Sequence, residues 1–410
     1  MRVVLSAFGS RGDVQPVLAL AIGLQRAGHS VLLTAPPNLG QWVMSYGVPF
    51  QAAGVDIEVM LKEVGFNMPK ALNRARMIAR RQYGEHEEVM RGADAIVGAG
   101  VHGAGRSLAE LYGVPYFFAL YTPQTLPSRD HSSPLLDLGR VPRWVNALSW
   151  RVSGALCNVL YRRLVNEERA KLGLRPIVDV WDHLIGGHLI FAGVPALAPL
   201  PGDVRPGIFT SGAFVLEDPA AIDAETEAFL NHGPAPIYIG FGSMPDGRPD
   251  KTSRIIAQAV EKAGVRALVS SGWAKLGATP FSDSVCVIGP TPHSKLFPRL
   301  AGVVHHGGAG TTAAVARAGV PQFIVPHGFD QYHWGRHIHD LGIGLAPIPK
   351  PRLTVDRLAE ALRSLATDSS MRQRAAAFAC RLTTDGVQRA IAHIEAVVSD
   401  HQAGRPAVAV

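Results

Sequence analysis

His306-Gly307-Gly308-Ala309-Gly310-Thr311-Thr312, backed by Val320-Pro321 and followed by Pro326-His327-Gly328-Phe329-Asp330-Gln331, is where the chain declares its architecture. The apolar run Ala301-Gly302-Val303-Val304 predicts a short buried strand ending at His305 and His306, and residues 313–318 predict the helix that follows. Glycines between a strand and a helix let the backbone approach a ligand closely and aim free amide N–H groups at it. The helix N-terminus adds partial positive charge where an anion would sit. A second strand over residues 322–326 then delivers Asp330 and Gln331 to the same sheet edge. That spacing suits a ligand with a diphosphate at one end and hydroxyls at the other, such as a nucleotide sugar.

Outward from this unit, strand-like apolar runs alternate with helix-like segments, the pattern of a parallel sheet covered on both faces. The first half opens with a strand over 3–7, a helix over 14–27 ended at Gly28-His29 and a strand over 31–35, with further strands at 95–97 and 116–119. The second half restarts with a strand at 237–240, a helix over 252–263 and strands at 267–270 and 285–288. At 410 residues the chain exceeds one ordinary core, so two domains of about 200 residues are expected. Proline and glycine crowd residues 197–236 (Pro199, Pro201, Gly202, Pro206, Gly207, Gly233, Pro234, Pro236) and mark the boundary. The expected division is a first domain over 1–205, a linker over 206–233, a second domain over 234–385 and a terminal segment over 386–410 whose amphipathic helix spans 387–398.

Composition excludes several classes. Hydrophobic content of 47% with 18% charged residues describes a well-packed globular chain. Three cysteines at unrelated spacings (Cys157, Cys286, Cys380) give neither a disulfide framework nor a zinc pattern and point to a reducing cytoplasm. The opening residues Arg2 to Ala7 read as a strand rather than a signal peptide, and no apolar run of about 20 residues is present to span a membrane. The net charge of +7 fits an anionic substrate or membrane surface. Its basic residues are dispersed without an aromatic stacking platform, which argues against nucleic acid. Residues 70–81 form a basic amphipathic helix, with a solvated face as the plain expectation and a peripheral membrane contact as the alternative.

Gly9-Ser10-Arg11-Gly12-Asp13-Val14-Gln15-Pro16, Gly240-Phe241-Gly242-Ser243-Met244, Ser270-Ser271-Gly272-Trp273, Pro292-His293 and the glycine cradle fall in one order along the chain. In that order they resemble the nucleotide-sugar glycosyltransferases of family 1, in the bacterial antibiotic and sterol-glucosyltransferase-like branch. The resemblance implies a GT-B fold, an α/β architecture of two Rossmann-like, doubly wound parallel-sheet domains facing across a cleft, with the terminal helix crossing back to the first domain. It spans nearly the whole chain and is weakest over residues 61–233, where acceptor-side loops diverge.

Asp13 carries two readings from the residues alone. It is a first-turn acid ahead of Val14-Gln15-Pro16, a favourable place for a carboxylate. It also lies at the C-terminal edge of the first strand, where open α/β sheets place their ligands. The resemblance implies the second and gives Asp13 the role of general base toward the acceptor, with Arg11, Gly12, Tyr121 and Pro123 on the acceptor side. The same resemblance places donor contacts at Ser243, Ser271, Trp273, Pro292, His293, His306, Gly308, Gly310, Thr311, Asp330 and Gln331. His306 takes the donor phosphates; His305, on the opposite strand face, is expected to be satisfied by the protein itself. Plant members carry a glutamate eight residues after the histidine for the ribose, and here that position is Ala314, which leaves uridine and thymidine donors both open.

Three signals are declined. Gly98-Ala99-Gly100-Val101-His102-Gly103 matches a dinucleotide pattern but lacks the first-strand position and the acid about 20 residues on, so it reads as a strand-to-helix turn. His333 and His337 are spaced one helical turn apart but lack the intervening glutamate of a zinc hydrolase. No Asp-x-Asp pair for a divalent ion appears in the sequence, consistent with a site using neither metal nor cofactor. The expected function is an inverting, metal-independent hexosyltransferase that moves sugar from a uridine or thymidine diphosphate sugar to a hydroxyl of a lipophilic small molecule: a natural-product aglycone, a sterol or another lipid. A nucleotide-sugar 2-epimerase and a silent nucleotide-sugar-binding partner subunit are the alternatives. The chain would act as a monomer or homodimer.

Overall fold

Valine-, isoleucine- and leucine-rich runs alternating with helices build two separate parallel sheets, each buried on both faces. The computed structural model describes residues 1–64, 68–242, 244, 246–272, 276 and 281–404; for residues 58, 61, 62, 64, 68, 69 and 71 it describes the backbone alone. One unit comprises Met1–Pro195, Leu200–Leu216 and Thr383–Val410, the other Ala196–Pro199 and Glu217–Leu382.

The first unit runs β1 (Arg2–Phe8), α1 (Arg11–Arg26), β2 (Ser30–Ala35), α2 (Gly40–Met44), β3 (Phe50–Ala52), α3 (Ile57–Val64), α4 (Met68–Met90), β4 (Ala95–Gly100), α5 (Gly105–Tyr112), β5 (Tyr116–Leu120), α6 (Arg143–Lys171), α7 (Val180–Leu184), β6 (His188–Phe191) and β7 (Phe209–Thr210). Its strands pair in the order β3-β2-β1-β4-β5-β6-β7, all parallel. The order reverses between β1 and β4, which opens a crevice at their C-terminal ends. Asp13 follows the first of these strands, and the declined glycine pattern covers the end of the second (Gly98 to Gly100) and the turn that leaves it.

The second unit runs α8 (Ala224–Asn231), β8 (Ile237–Gly240), α9 (Pro249–Ala263), β9 (Ala267–Ser270), β10 (Val285–Ile288), α10 (His293–Leu296), β11 (Gly302–His305), α11 (Ala309–Ala318), β12 (Gln322–Ile324), α12 (Gln331–Asp340), α13 (Val355–Thr367) and α14 (Ser369–Ala379). Strand order is β10-β9-β8-β11-β12, again parallel, with the reversal between β8 and β11. After α14 the chain rejoins the first unit as α15 (Gly386–Ala403), whose Val387, Ile391, Ile394 and Val398 pack in one core with Val17, Leu20 and Leu24 of α1. Gly23 makes room for that contact, since a Cβ there would overlap the Val387 side chain.

Several boundaries differ from the sequence expectation for identifiable reasons. Helix α11 begins at Ala309, four residues before the first apolar repeat, because Gly310, Thr311 and Thr312 carry no apolar signal. Helix α1 begins at Arg11, so Asp13 lies inside its first turn. The stretch expected as linker holds β7 and α8, each attached to one unit. The basic helix extends well past residue 81, and its arginines are largely spent on neighbours: Arg74 on Glu63, Arg80 on Glu167 and Glu168, Arg81 on Glu85.

Candidate functional site

In the second unit, the loops leaving β8 and β11 meet at the switch point. The β11 strand ends in two histidines with opposite fates. His305 is fully buried; its Nδ1 accepts from Gly307 N at 3.1 Å, so Nε2 carries the proton and donates to Gln322 Oε1 at 2.9 Å. Burial pulls its pKa down to about 4. His306 points the other way. Its Nδ1 is buried and unpaired among the described residues, while burial and then His305, His327 and His293 lower its pKa to about 3. A neutral imidazole with an unsatisfied ring nitrogen is an uncommon cost unless something else completes it.

Two glycines create the space for that ring. A Cβ on Gly308 would stand 2.6 Å from His306 Nε2, and one on Gly242 would stand 3.0 Å from His306 Cε1. Gly307 has φ +95°, and a Cβ there would press on Ile324 Cγ2 at 2.7 Å. Gly308 caps α11 without a side-chain hydrogen bond, so the amides of Ala309, Gly310 and Thr311 remain without a partner inside the helix. A Cβ on Gly310 would face open space. The result is a positive helix end, a neutral histidine and glycine-lined walls at one switch point.

Other expected residues surround it. The Ser271 loop abuts the β8 loop: a Cβ on Gly272 would stand 2.8 Å from Gly242 O. Pro292 caps α10, and His293 stacks on Phe297 with ring centroids 4.2 Å apart. Gln331 is buried; its Oε1 accepts from His327 N at 2.7 Å and Gly328 N at 3.2 Å, and its Nε2 is directed at the Met244 sulfur. Gln331 therefore clamps the loop before it, with no carbonyl oxygen left for a hydroxyl. Asp330 begins α12 and holds the Trp334 indole at 3.0 Å through Oδ2. Ser243 and Trp273 lie outside the described residues.

Features that sequence reasoning missed complete the wall. Lys350 Nζ donates to Asp246 Oδ2 at 2.8 Å and Thr252 Oγ1 at 2.7 Å and lies 4.8 Å from the Phe241 ring centroid. This pair, largely withdrawn from solvent, pins the β8 loop from 104 residues away, a separation that leaves no local signature. Phe329, next to Asp330, has φ +55° and is 67% exposed; among the described residues no other non-glycine has positive φ.

In the first unit, Ser10 caps α1 and Asp13 completes a capping box, its Oδ2 accepting from Ser10 N at 2.8 Å and Ser10 Oγ at 3.2 Å. The first-turn reading of Asp13 therefore describes this carboxylate. Among the described residues no side chain or other residue's backbone is hydrogen-bonded to its Oδ1. Burial raises the Asp13 pKa, opposed by the Ser10 hydrogen bonds. Gly9 faces the same carboxylate, and a Cβ there would overlap it. Tyr121 Oη donates to the Asp13 main-chain oxygen at 3.1 Å, Arg11 lies 4.5 Å from the Trp42 ring centroid, and Gly12 is exposed. Pro123 is buried at the head of a short 3-10 turn and shapes the loop rather than offering a surface.

Comparison with known proteins decides what these paired switch points belong to. Residues 3–128 match the glycosyltransferase family 28 N-terminal domain, and residues 266–394 match the C-terminal domain of erythromycin biosynthesis protein CIII-like proteins. The chain is 36% identical over 410 residues to Glycosyltransferase GtfC of Amycolatopsis orientalis, covering 95% of this chain and 98% of that protein. The chain belongs to the antibiotic and sterol glycosyltransferase family. Sterol 3-beta-glucosyltransferase UGT80A2 of Arabidopsis thaliana is 33% identical over 391 residues, covering 90% of this chain and 61% of that protein. Glycosyltransferase VinC in complex with DTDP superposes with a TM-score of 0.68 at 20% identity, covering 98% of this chain and all of that one. The fold is GT-B, and the glycosyltransferase draws sugar from a nucleotide sugar.

Proposed function

We propose that this glycosyltransferase is an inverting, metal-independent enzyme that transfers a hexose from a uridine or thymidine diphosphate sugar to a hydroxyl of a lipophilic small molecule. The observation that carries this is the unsatisfied His306 ring beside the open N-terminus of α11 at the β8–β11 switch point. A diphosphate seated there would give His306 its missing partner and meet the free amides of Gly310 and Thr311. Fixed dipoles aimed at the leaving group offset the charge that develops on it as the sugar bond breaks. Ser271, Pro292 and His293 are assigned to the base and phosphate wall, Ser243 and Trp273 are the further wall residues that the family resemblance implies, and Asp330 and Gln331 are assigned to the sugar side. The VinC complex supports a thymidine diphosphate among the donors to be tried.

Asp13 accepts the proton of the acceptor hydroxyl as that oxygen attacks the sugar carbon from the face opposite the diphosphate. Proton, bond and leaving group then balance in one step: the carboxylate becomes a carboxylic acid, the glycosidic bond forms, and the nucleoside diphosphate departs. A single displacement needs only one such acid, which supports inversion. The acceptor side comprises Arg11, Gly12 and Tyr121, with Pro123 shaping the loop that follows β5. The enzyme acts in the cytoplasm, which its three free cysteines support; no helix among the described residues is long and apolar enough to cross a membrane.

The test is a panel of uridine and thymidine diphosphate sugars mixed with lipophilic alcohols, reading free nucleoside diphosphate. Release should depend strictly on acceptor. Appearance of a C2 epimer of the donor without acceptor would identify an epimerase, and binding without any turnover would identify a silent subunit.

Phe329 adds a second expected outcome. A left-handed backbone costs a non-glycine residue about 1–2 kcal/mol, so a phenylalanine kept there against that strain has a use. Phe329→Gly should leave the melting temperature within a few degrees yet raise the donor or acceptor KM about tenfold, the worth of one lost apolar contact. Kinetics equal to wild type would remove Phe329 from the site.

A further inference from the structure

Helix α6 carries an apolar stripe on its outer face that none of the described residues covers. Trp144, Leu148, Val152, Leu156 and Val159 recur at helical spacing and are all exposed, Trp144 by 69% and Val159 by 80%. A contiguous patch of this kind on a protein surface marks an interaction site. Its charge is one-sided: from Arg143 to Asn166 the helix holds Arg143, Arg151, Arg162 and Arg163 and not one acidic residue. Among the described residues Arg151 and Arg162 form no ion pair, whereas Arg143 is shared with Asp130 at 3.1 Å and Asp203 at 3.9 Å and Arg163 pairs with Glu167. At the N-terminal end of the stripe, Trp144, Ala147 and Leu148 together with Arg129, Arg143 and Arg151 line a mostly apolar groove of about 550 Å³.

We propose that this face of α6 docks on a membrane surface of anionic phospholipid. The apolar stripe and the groove at its end enter the headgroup boundary, and the arginines meet lipid phosphates. The unpaired cations decide between occupants. A second copy laid stripe to stripe would bring the arginines of both molecules together and is opposed by like charge, whereas an anionic surface is favoured by every one of them. In helix α4, the other basic helix of this unit, three of the four arginines are tied to carboxylates: Arg74 to Glu63, Arg80 to Glu167 and Glu168, and Arg81 to Glu85. The proposal does not depend on which sugar or acceptor the enzyme uses.

The test is flotation of the full chain with phosphatidylcholine vesicles, with and without phosphatidylglycerol. Binding should require phosphatidylglycerol and weaken as salt rises. Arg151→Gln and Arg162→Gln should each weaken it by about fivefold, and Val152→Asp should abolish it; all three positions are exposed, so each variant should keep the wild-type melting temperature. Lipid-free turnover of a water-soluble acceptor should be unchanged in these variants. Absent binding, equal binding to both lipids, or binding untouched by Val152→Asp would overturn the proposal. A wild-type dimer that Val152→Asp dissociates would instead show an interface between copies, and a raised acceptor KM in the lipid-free assay would show an acceptor wall; either also overturns it.

Discussion

Asp13→Asn is expected to lower kcat by about a hundred- to ten-thousandfold, the range for loss of a positioned general base. Asparagine keeps the size of the side chain and an oxygen able to cap Ser10 N, so helix α1 should survive with a cost of about 1 kcal/mol or less. The distinction matters because Asp13 serves two ends: Oδ2 is tied to Ser10 while, among the described residues, no other residue holds Oδ1. If only the capping box mattered, activity would fall in step with stability, and Ser10→Ala would mimic Asp13→Asn. If Oδ1 takes the acceptor proton, Asp13→Asn loses turnover far beyond its change in melting temperature. Because burial raises the Asp13 pKa, the acid limb of kcat/KM in the wild type should lie above the ordinary aspartate value of about 3.9. Gly9→Ala provides an independent check, since its Cβ would displace the same carboxylate without changing its chemistry.

Acid should unfold the second unit early. His305 and His327 have pKa values near 4 and His306 near 3, each held down first by burial. For a histidine that stays neutral when folded, the unfolded chain takes up the proton first. Its contribution is therefore intact above about pH 6.5, lost progressively as pH falls toward the folded value, and constant below that. For His305 alone the loss reaches about 3 kcal/mol by pH 4, a large part of a domain's typical 5–15 kcal/mol. Protonation of Nδ1 would also break the bond from Gly307 N and disturb the cradle. Urea midpoints should fall steeply between about pH 6 and 4.5, and His305→Gln should remove about 1.4 kcal/mol per pH unit from that slope. A slope unchanged by the substitution would mean that His305 already binds a proton in the folded state.

The second unit was the more legible in sequence. Strands over 237–240, 267–270 and 285–288 emerge with the expected ends because short apolar runs bounded by polar turns have few other uses. The cradle was readable because glycines between strand and helix have a backbone purpose. Helix α6 was missed for the opposite reason. With Trp144, Leu148 and Val152 outside and Trp150, Leu164 and Val165 inside, its faces lack the polar contrast that reveals a helical period. Gln331 reads as a sugar contact from its residue type; that its oxygen also holds His327 N and Gly328 N depends on loop geometry no spacing encodes. The Phe329 backbone angle and the Lys350–Asp246 pair are likewise products of tertiary structure.

Division of labour between the two units is best tested by calorimetric titration of a nucleotide sugar into three proteins. Wild type and Asp13→Asn should bind the donor alike, while His306→Ala should bind it about ten- to a hundredfold more weakly, the worth of a hydrogen bond to a charged group. Full-strength binding by His306→Ala, or loss of binding in Asp13→Asn, would contradict the assignment of donor and acceptor chemistry to these two residues.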